Sequence, residues 1–365
     1  MFIKQVRRNF SIKERLCKRL EGKMRNYLML AVTFLTGVAF VVYSSNTASM
    51  SSESHEYHRE SFEANDAEIY DYDVDSFYLD SEYLEDIGEA IYYEDMDYDF
   101  GDIFEELQEG NGYAALESKL KKYISKYNCQ FGIYFVDLES GSEFGINAEE
   151  EYFAASTFKI PLNLYVYDRI REGIIDADTT LEYTEEDYEG GAGIIWSRES
   201  YGKTYTVREL LRLSIVYSDN VAVNMLLRYV GKENVKNYMR EMGGIVVDDK
   251  KNLSCPRDMA LYLKKVYELS ENGDPLGKEL VRNMVNTKFY DRLPVLLPKN
   301  VKIAHKTGNL IGVVHDVGIV YAKRPYIIVV MTKNVKNERS ANKAIANISK
   351  ITYDYVMTQS ERVND

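Results

Sequence analysis

Residues 51–110 hold 22 Asp and Glu against a single basic residue, Arg59. So much charge of one sign, with no long apolar run, leaves nothing to offset the entropy of ordering the backbone. A fold must therefore be built from the rest of the chain. The remaining charge is also divided by segment. Residues 1–26 carry nine Lys/Arg and two Glu, residues 27–50 carry no charge, and the stretch after 110 is close to neutral in a chain of 365 residues and net charge −13. Four segments are expected: a basic cytoplasmic segment at 1–26, a membrane signal-anchor at 27–45, an acidic Tyr-rich disordered linker at 46–110, and a globular domain at 111–365.

The run from Tyr27 to Tyr43 is 17 uncharged residues, near the lower limit for crossing a bilayer core. The cations before it predict an N-terminus inside and a C-terminus outside. A cleavable signal peptide is the alternative, with secretion after cleavage. Ser44-Ser45-Asn46-Thr47-Ala48-Ser49 makes a poor small-x-small cleavage site, which favours the anchor. In both cases everything after about residue 50 is exported. The acidic segment, with eight tyrosines, reads as a self-repelling spacer. Its Asp-x-Asp runs lack the spaced glycine and terminal glutamate of a calcium loop.

From about residue 111 the pattern becomes globular. Leu116, Leu120, Tyr123 and Ile124 recur at helical spacing within 113–127. Phe131 to Leu138 reads as a strand, and Glu139-Ser140-Gly141-Ser142 turns it into a second, making a hairpin. Residues 160–285 read as mostly helical, with a capping box at Thr206 and Glu209 and a helix opened by Pro256. Strands follow at 312–321 and 326–332, joined by Lys323-Arg324-Pro325. The last helix, at 338–357, puts Ala341, Ala344, Ile345, Ile348, Ile351 and Tyr355 on one face. Helix, strands, helical block, strands and helix imply an α/β (α+β) fold. Its antiparallel sheet would be covered by the terminal helices, with an inserted all-helical subdomain.

Three polar stretches stand out against this frame. In Ser156-Thr157-Phe158-Lys159, residues at i and i+3 share one face of a helix, so the lysine amine can reach the serine hydroxyl. A serine needs such a proton acceptor to act as a nucleophile, and Pro161 is tolerated only in the first turns of a helix. Tyr217-Ser218-Asp219-Asn220 offers a second hydroxyl to relay a proton and an amide to bind a substrate amide. In Lys302-Ile303-Ala304-His305-Lys306-Thr307-Gly308-Asn309, read as an edge strand, alternation puts Lys306 and Gly308 on one face and Thr307 on the other. Gly308 leaves room for a substrate backbone, and Lys306 offers positive potential to a carboxylate.

Each stretch alone reads equally well as a capped helix, a polar loop or a turn. Taken in order, and at separations of about 60 and 90 residues, Ser-x-x-Lys, Ser-Asp-Asn and Lys-Thr-Gly make a joint signal. The chain resembles the penicillin-recognising serine hydrolases, most closely the class A β-lactamase catalytic domain, over about 115–360. Tyr217 to Asn224 and Gly243-Gly244 extend the likeness. The resemblance implies a serine hydrolase that opens a β-lactam or peptide-like amide through an acyl-enzyme. It implies Ser156 as nucleophile, Lys159 as proton acceptor and Ser218 as the relay to the leaving nitrogen. Asn220 would hold a substrate amide, and Lys306 and Thr307 would bind the substrate's carboxylate, with Gly308 leaving room for its backbone. The oxyanion hole would be the backbone N–H groups of Ser156 and Asn309.

The likeness breaks in one place. Class A enzymes carry, between the Gly-Gly and the next helix, a long loop with a glutamate that activates the deacylating water. Here the interval from Gly244 to Cys255 is short and contains no Glu; Asp248 and Asp249 are its only carboxylates. Slow loss of the acyl group is the expectation, since general-base help is typically worth about 10²–10⁴-fold.

Three other readings are open. One is a D-Ala-D-Ala carboxypeptidase or penicillin-binding protein acting on peptidoglycan stem peptides. Another is a Ser-His-Asp hydrolase using His305 or His315-Asp316; it lacks a Gly-x-Ser-x-Gly elbow, and His305 alternates away from Lys306. The third is a non-catalytic cell-wall-binding module. Two of the four histidines, His55 and His58, lie in the acidic segment, and no Cys/His cluster suggests a metal; no metal or other cofactor is expected. Cys129 and Cys255 read as buried small residues rather than a disulfide, with Cys17 on the cytoplasmic side. The expected partners are a small β-lactam or peptidoglycan-like substrate and the membrane, not nucleic acid. A monomer is the default.

Overall fold

The computed structural model describes residues 112–362. The basic segment, the expected anchor and the acidic linker lie outside the described residues. Among the described residues, no helix is long and apolar enough to cross a membrane.

Helix α1 (Ala114–Ile124) buries Leu116, Leu120 and Tyr123 on one face. It leads into the hairpin β1 (Gln130–Asp137) and β2 (Glu143–Ile146). Three long strands close the chain's second half: β7 (Lys302–Leu310), β8 (Val313–Tyr321) and β9 (Tyr326–Lys333). Together they form a five-stranded antiparallel sheet in the order β2-β1-β9-β8-β7. The sequence-derived α/β (α+β) expectation holds, and β7 is an edge strand as its motif suggested.

Both faces of the sheet are covered, so its central strands β8 and β9 are buried along nearly their whole length and mostly apolar. Alternation sends Ile327, Val329, Met331, Val317 and Ile319 to the face shared with the helical lobe. It sends Ile328, Val330, Val314 and Phe135 to the opposite face, where α1 and α8 (Glu338–Arg362) pack. On β7 the same parity puts Ala304, and therefore Lys306 and Gly308, on the helical-lobe side, and Ile303 on the other.

The helical lobe runs through α2 (Lys159–Arg171), α3 (Val207–Val216), α4 (Asn220–Val230), α5 (Lys232–Glu241), α6 (Pro256–Glu271) and α7 (Pro275–Val285). The capping box at α3 forms as expected: the Glu209 N–H donates to Thr206 Oγ1 at 3.1 Å and the Thr206 N–H to Glu209 Oε2 at 2.7 Å. Residues 183–203 depart from the helical expectation. They hold two 3₁₀ turns, Glu185–Asp187 and Arg198–Ser200, between the short paired strands β4 (Thr180–Glu182) and β5 (Thr204–Thr206). Gly191 and Gly193 adopt φ of +96° and +126° there, which breaks any helix. Two short strands, β3 (Tyr152–Phe153) and β6 (Leu253–Ser254), pair beside the sheet. Cys129 and Cys255 are free thiols, and Cys129 is only half-buried rather than buried. Cys255 caps α6, its sulfur accepting the Asp258 N–H at 3.4 Å.

Candidate active site

Ser156 sits in a 3₁₀ turn, Ala155–Phe158, and the α-helix starts only at Lys159. In that tighter spiral, side chains at i and i+3 stack directly. Lys159 Nζ accordingly stands 3.0 Å from Ser156 Oγ. Ala155, just before the serine, is held at φ +48°, a left-handed conformation that costs a non-glycine residue about 1–3 kcal/mol. Ser218 shows the same strain at φ +54°. Both outliers border the same small volume.

Ser218 ends the α3–α4 connection, and Asp219 caps α4 through the Ala222 N–H at 2.9 Å. Lys159 Nζ donates to Ser218 Oγ at 3.1 Å and Asn220 Oδ1 at 2.8 Å, and also to the Ser218 carbonyl. From the sheet, Lys306 Nζ reaches the same Ser218 Oγ at 3.0 Å and the Thr307 carbonyl at 2.9 Å. Ser156, Lys159, Ser218, Asn220 and Lys306 thus form one connected cluster drawn from the 3₁₀ turn, α2, the α3–α4 connection, α4 and β7. One turn along α2, Asn163 Nδ2 donates to the Lys159 carbonyl and to Ser214 Oγ, each at 2.8 Å. This buried amide fastens the lysine's backbone to α3.

Burial pushes the Lys159 ammonium down to about 7, against the opposing pull of Glu189 and Asp219. Burial lowers Lys306 well below its ordinary value, and the charge on Lys159 adds to that. A neutral amine 3.0 Å from a hydroxyl can take its proton. The contacts at Ser218 then continue a proton path from Ser156 through Lys159 and Ser218 to Lys306.

Gly308 lies against the nucleophile's turn. A methyl group there would stand 3.2 Å from the Ala154 carbonyl, from Ala155 Cβ and from Thr157 Cγ2. Close packing on the turn is thus a second reason for glycine, besides room for a substrate. Thr307 is buried on the strand. The Asn309 side chain is already engaged, its Oδ1 accepting from Arg292 Nη2 at 2.6 Å and its amide donating to Glu338. Its backbone is the part left for a ligand. Arg292 is nearly fully buried and also donates to the His315 carbonyl at 2.7 Å and Asn342 Oδ1 at 3.0 Å.

The short interval after Gly243 is strapped beneath the turn. The Ala154 N–H donates to the Asn252 carbonyl at 2.8 Å, and Asn252 Nδ2 donates to the Ala155 carbonyl at 3.0 Å. Its two carboxylates serve the strap itself. Asp248 accepts the Lys250 and Lys251 N–H groups at 2.9 and 2.6 Å, and Asp249 pairs with Arg240.

The two described histidines are turned to structure. His305 Nδ1 bonds Asp316 Oδ1 at 2.9 Å, on the sheet face opposite Lys306. His315 Nδ1 accepts the Thr332 N–H at 3.0 Å, which places its proton on Nε2, donating to the Phe153 carbonyl at 2.8 Å. Burial pushes His315 down to about 4, so it stays neutral. Among the described residues no group of His, Cys, Asp or Glu is arranged to hold a metal.

Asn163, Arg292 and Asn252 were not picked out from sequence. A signal existed for Asn163, a polar residue four positions after Lys159 in an apolar helix. Arg292 and Asn252 sit in loops and carried none.

A family model described as the β-lactamase enzyme family matches residues 115–356. The chain belongs to that family. The β-lactamase SME-1 of Serratia marcescens is 25% identical over 260 residues, covering 65% of this chain and 87% of that one. An imipenem-hydrolyzing β-lactamase of Enterobacter cloacae is 26% identical over 260 residues, with 65% and 88% covered. The solved structure of PBP-A superposes with a TM-score of 0.63 at 25% identity, covering 67% of this chain and 97% of that one. A mutant of it, solved as an acyl-enzyme complex with penicillin G, gives 0.63 at 26%, covering 67% and 96%.

Proposed function

We propose that this member of the β-lactamase family is a membrane-anchored, extracytoplasmic serine hydrolase that opens a β-lactam or peptide-like amide through an acyl-enzyme on Ser156. The supporting observation is the convergence of Ser156 Oγ, Lys159 Nζ, Ser218 Oγ and Lys306 Nζ through contacts of 3.0 to 3.1 Å. Neutral Lys159 takes the Ser156 proton as Oγ attacks the carbonyl carbon. The Ser156 and Asn309 N–H groups receive the developing oxyanion. The tetrahedral intermediate collapses by breaking the C–N bond, and Ser218 hands the leaving nitrogen its proton, refilled from Lys159. Lys306, Thr307 and Gly308 receive the substrate's carboxylate end, and Asn220 its amide. No cofactor enters this scheme.

Intact mass after exposure to benzylpenicillin tests the scheme. An adduct on Ser156 that is absent in Ser156→Ala is expected; no adduct under any condition sinks it. A penicillin-binding peptidase acting on stem peptides is the second reading. The carboxylates of the Gly243–Pro256 interval being spent on their own strap, together with the likeness to PBP-A, favours it. A persistent adduct points that way, and rapid loss with hydrolysed drug points to a β-lactamase. The anchor and its orientation rest on the uncharged run and the nine cations before it. Protease added to intact cells should remove the catalytic domain and spare the N-terminal segment.

A further inference from the structure

One wall of the cluster carries a carboxylate that the scheme above leaves without a task. Glu189 lies just after the turn Glu185–Asp187, and its Oε2 accepts from Asn224 Nδ2 at 2.8 Å. The carbonyl of the next residue, Gly190, accepts from Asn220 Nδ2 at 3.0 Å, and Asn220 Oδ1 accepts from Lys159 at 2.8 Å. Asn220 and Asn224 are one turn apart on the same face of α4. The loop is therefore stitched along that face, with the Glu189 carboxylate one helical turn from the amide that touches Lys159. Its base is fixed by Asp187, which is buried and bonds Arg228 at 2.8 and 2.9 Å. Glu189 is also the foremost charge favouring the Lys159 ammonium, ahead of Asp219. Coulombic coupling of that kind requires proximity.

We propose that Glu189, delivered from the 183–203 loop, is the general base that removes the acyl group from Ser156. This rests on the acyl-serine reading. A water oxygen bonds to the acyl carbon while one of its protons passes to the Glu189 carboxylate. The intermediate then collapses, breaking the bond between that carbon and Ser156 Oγ. Glu189 passes the proton it accepted to the neutral Lys159, which delivers one to Oγ. The product is a free acid and the serine hydroxyl is restored, so one water is consumed and no other reactant is needed. The bond to Asn224 holds the carboxylate against α4, one helical turn from Asn220.

The test follows benzylpenicillin adducts on the full chain by intact mass, comparing the parent with Glu189→Gln and Glu189→Asp. Adducts should appear on Ser156 in all three, and no more slowly in Glu189→Gln than in the parent, because losing the Glu189 charge favours the neutral Lys159 amine. In Glu189→Gln the adduct half-life should lengthen about 10²-fold or more, with Glu189→Asp between the two. A half-life in Glu189→Gln within about threefold of the parent overturns the proposal, because general-base loss is worth far more. A parent adduct that never leaves also overturns it. Absence of any adduct on the parent overturns the acyl-serine reading itself, and this inference with it. Glu189 is exposed, so both variants should fold, and circular dichroism checks that they do.

Discussion

Lys159 and Lys306 donate to the same oxygen, Ser218 Oγ, at 3.1 and 3.0 Å. Two buried ammonium groups on one hydroxyl repel, and burial already disfavours both charges. The cluster is therefore built to hold fewer than two positive charges on its amines at neutral pH. That is the condition for Lys159 to accept one from Ser156.

The acylation rate should rise with pH to a plateau, with a midpoint near the value of about 7 to which burial lowers Lys159. The sign follows from the neutral amine being the active form, so protonation on the acid side removes it. Lys159→Arg keeps a positive charge at every working pH and should lower acylation by about 10²–10⁴-fold with no such rise. Adduct formation followed by rapid-quench mass measurement between pH 5 and 9 checks both.

Asp219 joins the cluster to the 183–203 loop. One oxygen caps α4, and the other accepts the Ile194 and Ile195 N–H groups at 2.6 and 2.9 Å. Asp219→Ala strands three N–H donors, two of them in the loop, and should cost about 2–4 kcal/mol. Asp219→Asn should recover part of that. Chemical denaturation of the three proteins measures the difference, and a loss below about 1 kcal/mol would mean the loop is held by other contacts.

Gly308→Ala separates activity from stability. Its new methyl group meets the Ala154 carbonyl and Ala155 at 3.2 Å, so the nucleophile's turn has to yield by a few tenths of an ångström. Catalytic geometry is sensitive to shifts of this order, and acylation should fall about tenfold or more while the melting temperature moves little. Gly318→Ala is the contrast. It drives a methyl group to 2.7 Å from His305 Cβ and 2.9 Å from the Ala304 carbonyl, inside the sheet, and should lower stability first.

How much of this was legible in the sequence depends on the range of the interaction. The runs 312–321 and 326–332, rich in Val and Ile and joined by Lys323-Arg324-Pro325, were legible as β8 and β9, because both faces of those strands are buried and the signal is local. The capping box at Thr206 was legible for the same reason. Ser-x-x-Lys pointed to the Ser156–Lys159 contact because three-residue spacing fixes it, although the turn is 3₁₀ where an α-helix start was expected. Contacts such as Arg292 to Asn309 or Asn252 to Ala155 join loops to distant positions, and no spacing encodes them. Within the mostly helical stretch 160–285, the 183–203 segment is not helical, its path set by backbone glycines and by one carboxylate, Asp219, more than twenty positions away.

Lys236 carries the last prediction. It is buried, with Nζ 3.4 Å from the Lys251 carbonyl and 4.9 Å above the Phe158 ring. Burial, helped by Lys232 and Arg240 and opposed by Asp248 and Asp249, pushes its ammonium down to about 8. In the unfolded chain it keeps its ordinary value of about 10.4. Between pH 8 and that value the unfolded chain binds a proton that the folded one has lost, so stability must rise with pH across this window. Below pH 8 the folded protein carries the full cost of the buried charge, up to about 3 kcal/mol at 1.36 kcal/mol per pH unit. Lys236→Met removes the charge and keeps most of the volume. It should therefore stabilise the protein by about 1–3 kcal/mol at pH 7, and the gain should shrink towards zero by pH 10. Urea unfolding of parent and variant at pH 7, 8.5 and 10 gives the difference directly, free of the other groups that titrate in both. A difference that stays constant with pH would mean that Lys236 remains charged in the fold, held by the Lys251 carbonyl.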